Sequence, residues 1–537
     1  MELFTVPHIL EWLATTVVVT AFLYLSSFKL LSGLQQTGYS VKRMFGWLGR
    51  RDNLVISSLE LLTFMLLLAS AVFAVCFSFV GDSAAISLAA YPIFCIAYYL
   101  SDRKYALKVK TVRTARYLRL CGAYAFVLTV SVAIGTVGYY AIAFYIGHPL
   151  VSCLRYVLLS LYAIALPVIL SVANFFDRLY EVPRNKRYAR KAERALAEAK
   201  LIKIGVTGSY GKTTVKNMLC SVLSEKYRVL VTPASYNTPL GIARCVNRND
   251  LSAYDVFIAE MGARHTGDIA ELCDMVKPDY SVITGICPQH LQSFGSVQAI
   301  VEAKGEILYG TTKGAVLGED EYTLTLYDTS PVETLIAGHE VRVSDVRATA
   351  NGTEFVLRVE DESRTVRTRL LGAHTAQNMC VAATLAYFLD FTIDEIVRGL
   401  EKVDFVPHRL QPIYSGGVNI LDDSYNANVN GAAAAVETLK LFSGRHFVVT
   451  PGLVELGILE QKENEKLGGR LAGLDRVILV GDTLVKSVKK GYDEAGGKGE
   501  ALTIVPTLDD AQALLAQEVS PGDTVLFLND LPDIYNV

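Results

Sequence analysis

Residues 201–207 (LIKIGVT) are a short, β-branched apolar run that ends in Gly208-Ser209-Tyr210-Gly211-Lys212-Thr213-Thr214, and a helical pattern, VKNMLCSVLSEK, follows at once. Strand, glycine loop and helix in that order make the setting of a phosphate-binding loop. Glycines let backbone N–H groups close on phosphate oxygens at the helix N-terminus, Lys212 offsets β/γ charge, and the Thr213 hydroxyl can ligate Mg²⁺, with Thr214 beside it. ATP is the ligand such a loop expects. The strict pattern has glycine at position 206, where this chain has Val206, with Gly205 one place earlier.

Further groups stand at the ends of apolar runs. YDVFIAEMG (254–262) reads as a buried strand ending in Glu260, and DYSVITGIC (279–287) as another, followed by Pro288-Gln289-His290. In a doubly wound sheet the strand C-termini line the ligand crevice, so Glu260 and His290 are candidates for the metal–phosphate site. Lys304, in Ala303-Lys304-Gly305-Glu306, would by itself be a solvated helix residue. Downstream, GVNIL runs into Leu421-Asp422-Asp423-Ser424-Tyr425-Asn426-Ala427-Asn428. An acid after an apolar strand can hold ribose hydroxyls, and Asn426 and Asn428 offer paired donors and acceptors to a peptide.

The ordered run TGSYGKTT, EMGARHTGDI, HLQSFGS and AKGEIL resembles the Mur ligase family, and DDSYNAN resembles its D-alanyl-D-alanine-adding branch. The resemblance covers roughly half of the chain. It implies an ATP-dependent amide ligase that makes an acyl phosphate and lets an amine displace phosphate. It also implies two Mg²⁺ ions, one on Thr213 and Glu260, the other on His290 and a Lys304 carbamoylated by CO₂. A carbamate turns an ammonium into a hard oxygen ligand, the kind Mg²⁺ prefers. By the same resemblance Asn378, in Leu371-Gly372-Ala373-His374-Thr375-Ala376-Gln377-Asn378, contacts adenine, Arg409 reaches the ATP phosphates, and Asp423 belongs to the nucleotide site. Thr375 and His408 depart from the family's Asn and Gly, and no lysine-containing element follows DTVLFL.

Elements to carry these groups follow from composition. The chain has 537 residues, too many for one ordinary domain; it is 51% hydrophobic and 20% charged, which excludes a disordered chain. The net charge of −3 conceals a split: residues 1–200 carry +11 and the remainder −14. Nine scattered cysteines, none in a C-x-x-C pair, indicate neither zinc ribbon nor disulfide framework. Apolar runs at 9–32, 54–80, 84–100, 121–147 and 150–175 suggest about five membrane spans. Lys and Arg in alternate loops place the N-terminus outside and the rest in the cytosol.

The expected architecture is therefore an α-helical membrane domain (1–180), a helical connector (181–200), a P-loop α/β central domain (201–406) with a small β insert at about 311–370, and a Rossmann-like C-terminal domain (407–537). The spans stand where the family's UDP-binding domain would be. The expected function is a membrane-anchored ligase of cell-wall precursor synthesis in the inner membrane, joining a peptide precursor to an amino acid or to D-Ala-D-Ala. A lipid-linked acceptor is the alternative and an ATP-driven transporter the less favoured one. The bilayer is an expected partner and nucleic acid is not.

Overall fold

The structure is a computed structural model, and it describes residues 6–49, 111–146, 151–425, 427–482 and 484–529. Met1–Arg184 fall into one compact unit and Asn185–Leu531 into another.

The first unit is helical: Val6–Ser26, Phe28–Gln36, Val41–Leu48, Ala115–Ile146 and the first part of the long helix Val151–Glu198. Leu23, Leu31, Leu34, Leu120, Leu128 and Leu170 form its core. Among the described residues the expected set of spans is not found, although the run 121–147 falls largely within a candidate span. Among the described residues one helix, Ala115–Gly138, is long and apolar enough to cross a membrane, or two if Trp12–Ser26 and Phe28–Gln36, bent by 45°, are one span. Runs 54–80 and 84–100 lie outside the described residues. Run 9–32 is broken at Ser27, whose hydroxyl bonds Leu23 O at 2.6 Å and Tyr124 OH at 2.6 Å. Run 150–175 continues without a break into a charged stretch of a 48-residue helix. The multi-pass inner-membrane placement is thereby overturned: among the described residues at most two segments are long and apolar enough to cross a membrane, and apolar side chains of these runs build a helix-on-helix core.

The second unit contains two parallel-type sheets. In the first, β1 (Ile202–Thr207), β2 (Val229–Val231), β3 (Val256–Glu260), β4 (Tyr280–Ile283), β5 (Gly314–Leu317) and β6 (Glu333–Ile336) are ordered β2-β3-β1-β4-β5-β6. Side chains alternate between two cores: Val256 and Ile258 face one side with Val215 and Leu219, Phe257 and Ala259 the other with Ile269 and Ile307. Burial on both faces explains the unbroken apolar runs.

The expected insert at 311–370 is smaller than its bounds. β5, fully buried, and β6 extend the parallel sheet, whereas β7 (Val341–Thr349), β8 (Gly352–Val359) and β9 (Glu362–Thr368) form a separate antiparallel sheet. The last sheet holds β10 (Gln411–Ser415), β11 (Val418–Asp423), β12 (His446–Thr450), β13 (Arg476–Val480), β14 (Leu502–Val505) and β15 (Thr524–Leu528), in the order β10-β11-β15-β12-β13-β14. Only its β10–β11 pairing is antiparallel; the others are parallel.

Candidate active site

β1 lies between β3 and β4, so the loop after Thr207 opens at the middle of the sheet's C-terminal edge. Two glycines shape it. Gly208 has φ 148°, and a β-carbon there would come within 2.1 Å of Thr284 Oγ1. Gly211, at φ 73°, caps the helix Lys212–Leu223, and a β-carbon there would come within 2.9 Å of Asn378 Oδ1. No side chain caps this helix end, so its first N–H groups face the loop as an anion cradle. Lys212 Nζ donates to Gly208 O at 2.7 Å and Ser209 O at 3.3 Å. Burial pulls its pKa below the usual lysine range, with Glu260 opposing the shift.

Glu260 ends β3 and is 1% exposed. Its Oε2 accepts the Thr213 hydroxyl at 2.9 Å and faces Lys216 Nζ at 3.1 Å, while Oε1 accepts from Asn237 Nδ2 at 3.2 Å. Thr213 and Glu260 therefore meet as a hydroxyl–carboxylate pair at the mouth of the phosphate loop. Lys304 is buried in the helix Val297–Tyr309. Burial first and the charge of Lys212 second pull its ammonium down to about 7, so near neutrality a large share of the amine is uncharged.

His290 takes a left-handed backbone, φ 55°, and its Nδ1 is engaged by the carboxylate of Glu455, which follows β12. Among the described residues no group of three or more His, Cys, Asp or Glu side chains is arranged to hold a metal ion. The oxygen pair of Thr213 and Glu260 is the hard-donor set present.

The turn before β10 contributes Arg409, whose guanidinium lies 4.7 Å from the centre of the Tyr425 ring and which lines a small cavity with Lys212, Thr213 and Thr214. Tyr425 OH meets Ser235 Oγ of the central domain at 2.7 Å. A larger cleft of about 610 Å³ adjoins this cavity, with Gly211, Thr214, Asn378, Arg409, Asp423 and Asn428 on its wall. Asp423 accepts the Leu410 N–H at 3.0 Å, and burial pushes its carboxyl up to about 7 against the pull of Arg409. Asn428 caps the helix Val429–Leu439 by accepting from Gly431 N at 2.9 Å, so part of its capacity is structural. Asn426 lies outside the described residues.

The phosphate loop, Asn378, Arg409, Asp423 and Asn428 thus border two adjoining cavities; Glu260 is buried against Thr213 and lines neither, His290 has Glu455 on its Nδ1, and Lys304 is buried. Lys216, Asn237, Glu455 and Tyr425 were not among the expected site residues. Lys216 carried a usable signal, since it stands one helical turn after Lys212. Asn237 and Glu455 lie in loops whose positions depend on tertiary structure.

Comparison with known proteins agrees with this geometry. Residues 206–386 match the Mur ligase middle domain and residues 408–529 the Mur ligase glutamate ligase domain. The UDP-N-acetylmuramoyl-tripeptide–D-alanyl-D-alanine ligase of Escherichia coli (strain K12) is 32% identical over 293 residues, 52% of this chain and 64% of that protein. Its namesake from Mycobacterium tuberculosis (strain CDC 1551 / Oshkosh) is 31% identical over 362 residues, 60% of this chain and 69% of that protein. Crystal structures of MurF from Acinetobacter baumannii (TM-score 0.60, 26% identity, 65% of this chain and 78% of that one) and of MurF from Thermotoga maritima in complex with ADP (0.57, 28%, 65% and 81%) share the fold. The chain spans about two thirds of the length of these curated relatives. On these matches, the chain belongs to the Mur ligase family, whose members are ATP-dependent ligases that form amide bonds.

Proposed function

We propose that the protein uses ATP to activate the carboxylate of a peptidoglycan-precursor peptide and joins it to an amine, D-alanyl-D-alanine being the first candidate. One observation carries the reading: groups from two domains, the Lys212–Thr214 loop backed by the Thr213–Glu260 pair on one side and Arg409 with Asp423 on the other, border two adjoining cavities that share Arg409. The relatives named as D-alanyl-D-alanine ligases support the choice of amine.

In the first step a carboxylate oxygen attacks the γ-phosphorus and ADP leaves, giving an acyl phosphate. Lys212 and Arg409 bring two positive charges to a transfer that concentrates negative charge on phosphoryl oxygens. In the second, the amine nitrogen attacks the acyl carbon, phosphate departs from the tetrahedral intermediate, and the nitrogen loses a proton. The adenosine part fits the larger cleft, with Asn378 at its wall and Asp423 placed for ribose hydroxyls.

Thr213 and Glu260 suit Mg²⁺, being hard oxygen donors 2.9 Å apart beside the phosphate loop. When bound there the ion would offset phosphate charge. Lys304 suits carbamoylation, because CO₂ adds only to an uncharged amine and burial supplies one. A second Mg²⁺ would be held by Nε2 of His290, with Glu455 on Nδ1 fixing the tautomer and the ring orientation.

The test is a mass spectrum of products from the protein with ATP, Mg²⁺, UDP-N-acetylmuramoyl-tripeptide and D-alanyl-D-alanine, alongside ADP release. The expected outcome is one dipeptide added per ADP; ATP hydrolysis with no amide product overturns the reading. For Lys304, the Lys304→Ala variant is expected to lose ligation and regain part of it with short carboxylic acids, and full wild-type turnover in CO₂-depleted buffer would exclude the carbamate.

A further inference from the structure

Arg409 sits between two residues whose backbones are left-handed, His408 at φ 62° and Leu410 at φ 48°. Residues with a β-carbon seldom adopt that region, and leucine has no local hydrogen bond to favour it. Such a turn persists where its surroundings hold it. Most of the holding groups come from residues 422–425, the end of β11 and the turn after it. His408 Nδ1 lies 2.7 Å from Asp422 Oδ2, Tyr425 N donates to His408 O at 3.3 Å, and Leu410 N donates to Asp423 Oδ1 at 3.0 Å. Within the turn itself, Arg409 N donates to Val406 O at 3.1 Å.

The two neighbouring aspartates divide the work, because consecutive side chains on a strand point to opposite faces. Asp423 faces the cleft. Asp422 points away from it, and its Oδ1 is occupied by Ser424, N at 3.1 Å and Oγ at 2.6 Å, so that Oδ2 is left to the imidazole. His408 lines neither the cleft nor the small cavity, and its side chain is 58% exposed. Whatever it does for the nucleotide it does through the turn.

We propose that His408 is a positioning residue for the phosphoryl-transfer step: its hydrogen bond to Asp422 fixes the 408–410 turn and so aims Arg409 at the phosphate loop. The proposal rests on the nucleotide-site reading above. It makes the imidazole, and not merely a backbone able to take positive φ, the feature that matters at position 408.

The full-length protein, assayed for ADP release against ATP concentration, separates these. His408→Gly takes the same φ without strain but has no imidazole; it is expected to raise KM for ATP about five-fold, as is Asp422→Asn. His408→Asn, which tolerates the left-handed region and carries an amide donor, is expected to recover most of that loss. In an Arg409→Ala background the further effect of His408→Gly is expected to be less than about two-fold, since residues acting through one another are not additive. Wild-type KM in His408→Gly overturns the proposal, and so does an undiminished five-fold effect in the Arg409→Ala background. If Arg409→Ala alone leaves KM for ATP unchanged, the nucleotide-site reading falls and the proposal with it, an outcome distinct from the other two.

Discussion

In the helical unit, Asp177 and Glu181 are almost completely buried, and each has arginines against it: Arg116 Nε at 3.2 Å and Arg119 Nε at 3.7 Å from Asp177, Arg184 at 2.9 Å from Glu181, with Arg119 also on Glu181. Around the phosphate loop the buried charges fall into two kinds. Lys216 spends its three N–H bonds on Glu260 at 3.1 Å, Thr232 O at 2.8 Å and Ala234 O at 2.5 Å. Lys304 has no carboxylate against it among the described residues, and the largest charge acting on it is another lysine, Lys212. The contrast separates scaffold from chemistry. A buried charge with a full set of partners fixes a geometry; a buried amine without one keeps its uncharged form within reach of neutral pH, where it can react.

Two methionine substitutions test that division most sharply. Lys304→Met is expected to cut ligation about 10³-fold, the scale of losing an electrostatic group at the reacting centre, without lowering the urea midpoint, because a group whose charge burial disfavours is replaced by an apolar one. Lys216→Met is expected to destabilise by about 3 kcal/mol, since it leaves the Glu260 carboxylate buried without its cation. Equal destabilisation by both variants would break the comparison. A smaller effect is expected in the helical unit. Asp177→Asn keeps a hydrogen-bond acceptor for Arg116 but loses the charge, and about 2 kcal/mol should go. Hydrogen exchange across residues 171–184 should accelerate while ADP release per folded molecule stays unchanged; slower ADP release would show that this cluster is more than scaffold.

The same contrast explains how much could be read from the sequence. The phosphate loop was legible because chemistry fixes its residue types and their spacing within one strand–loop–helix unit, and Glu260 because it ends a run of buried strand residues. Those signals are local. Arg409 and Asp423 could be named from their motifs, but not the left-handed turn that joins them, which depends on a pairing between β10 and β11. The Glu455–His290 contact links residues 165 positions apart, and nothing in either segment announces it. The helical unit misled for the opposite reason: apolar content is the same signal whether side chains face lipid or one another. The hydroxyl bond between Tyr124 and Ser27, which marks the bend in the first run, is invisible to a hydropathy count.

Asp423 offers the mildest test of the contrast, because it stands between the two kinds, with Arg409 and one amide for partners. Burial holds its folded pKa at about 7, above the ordinary carboxylate value of 3.8. Between those values the folded protein keeps a proton that the unfolded chain has lost. The contribution to stability is therefore fully present below pH 3.8 and is lost as pH rises through about 7. Asn at this position cannot titrate, and its Oδ1 can still accept the Leu410 N–H. Wild type and Asp423→Asn should consequently differ least at pH 3.5, and the gap should open from there to about pH 7. By pH 8.5 the variant should be the more stable by at least about 1 kcal/mol. Urea midpoints at the two pH values decide it: a gap that is constant with pH would mean that Arg409 compensates the carboxylate completely, and would move Asp423 to the scaffold side with Asp177.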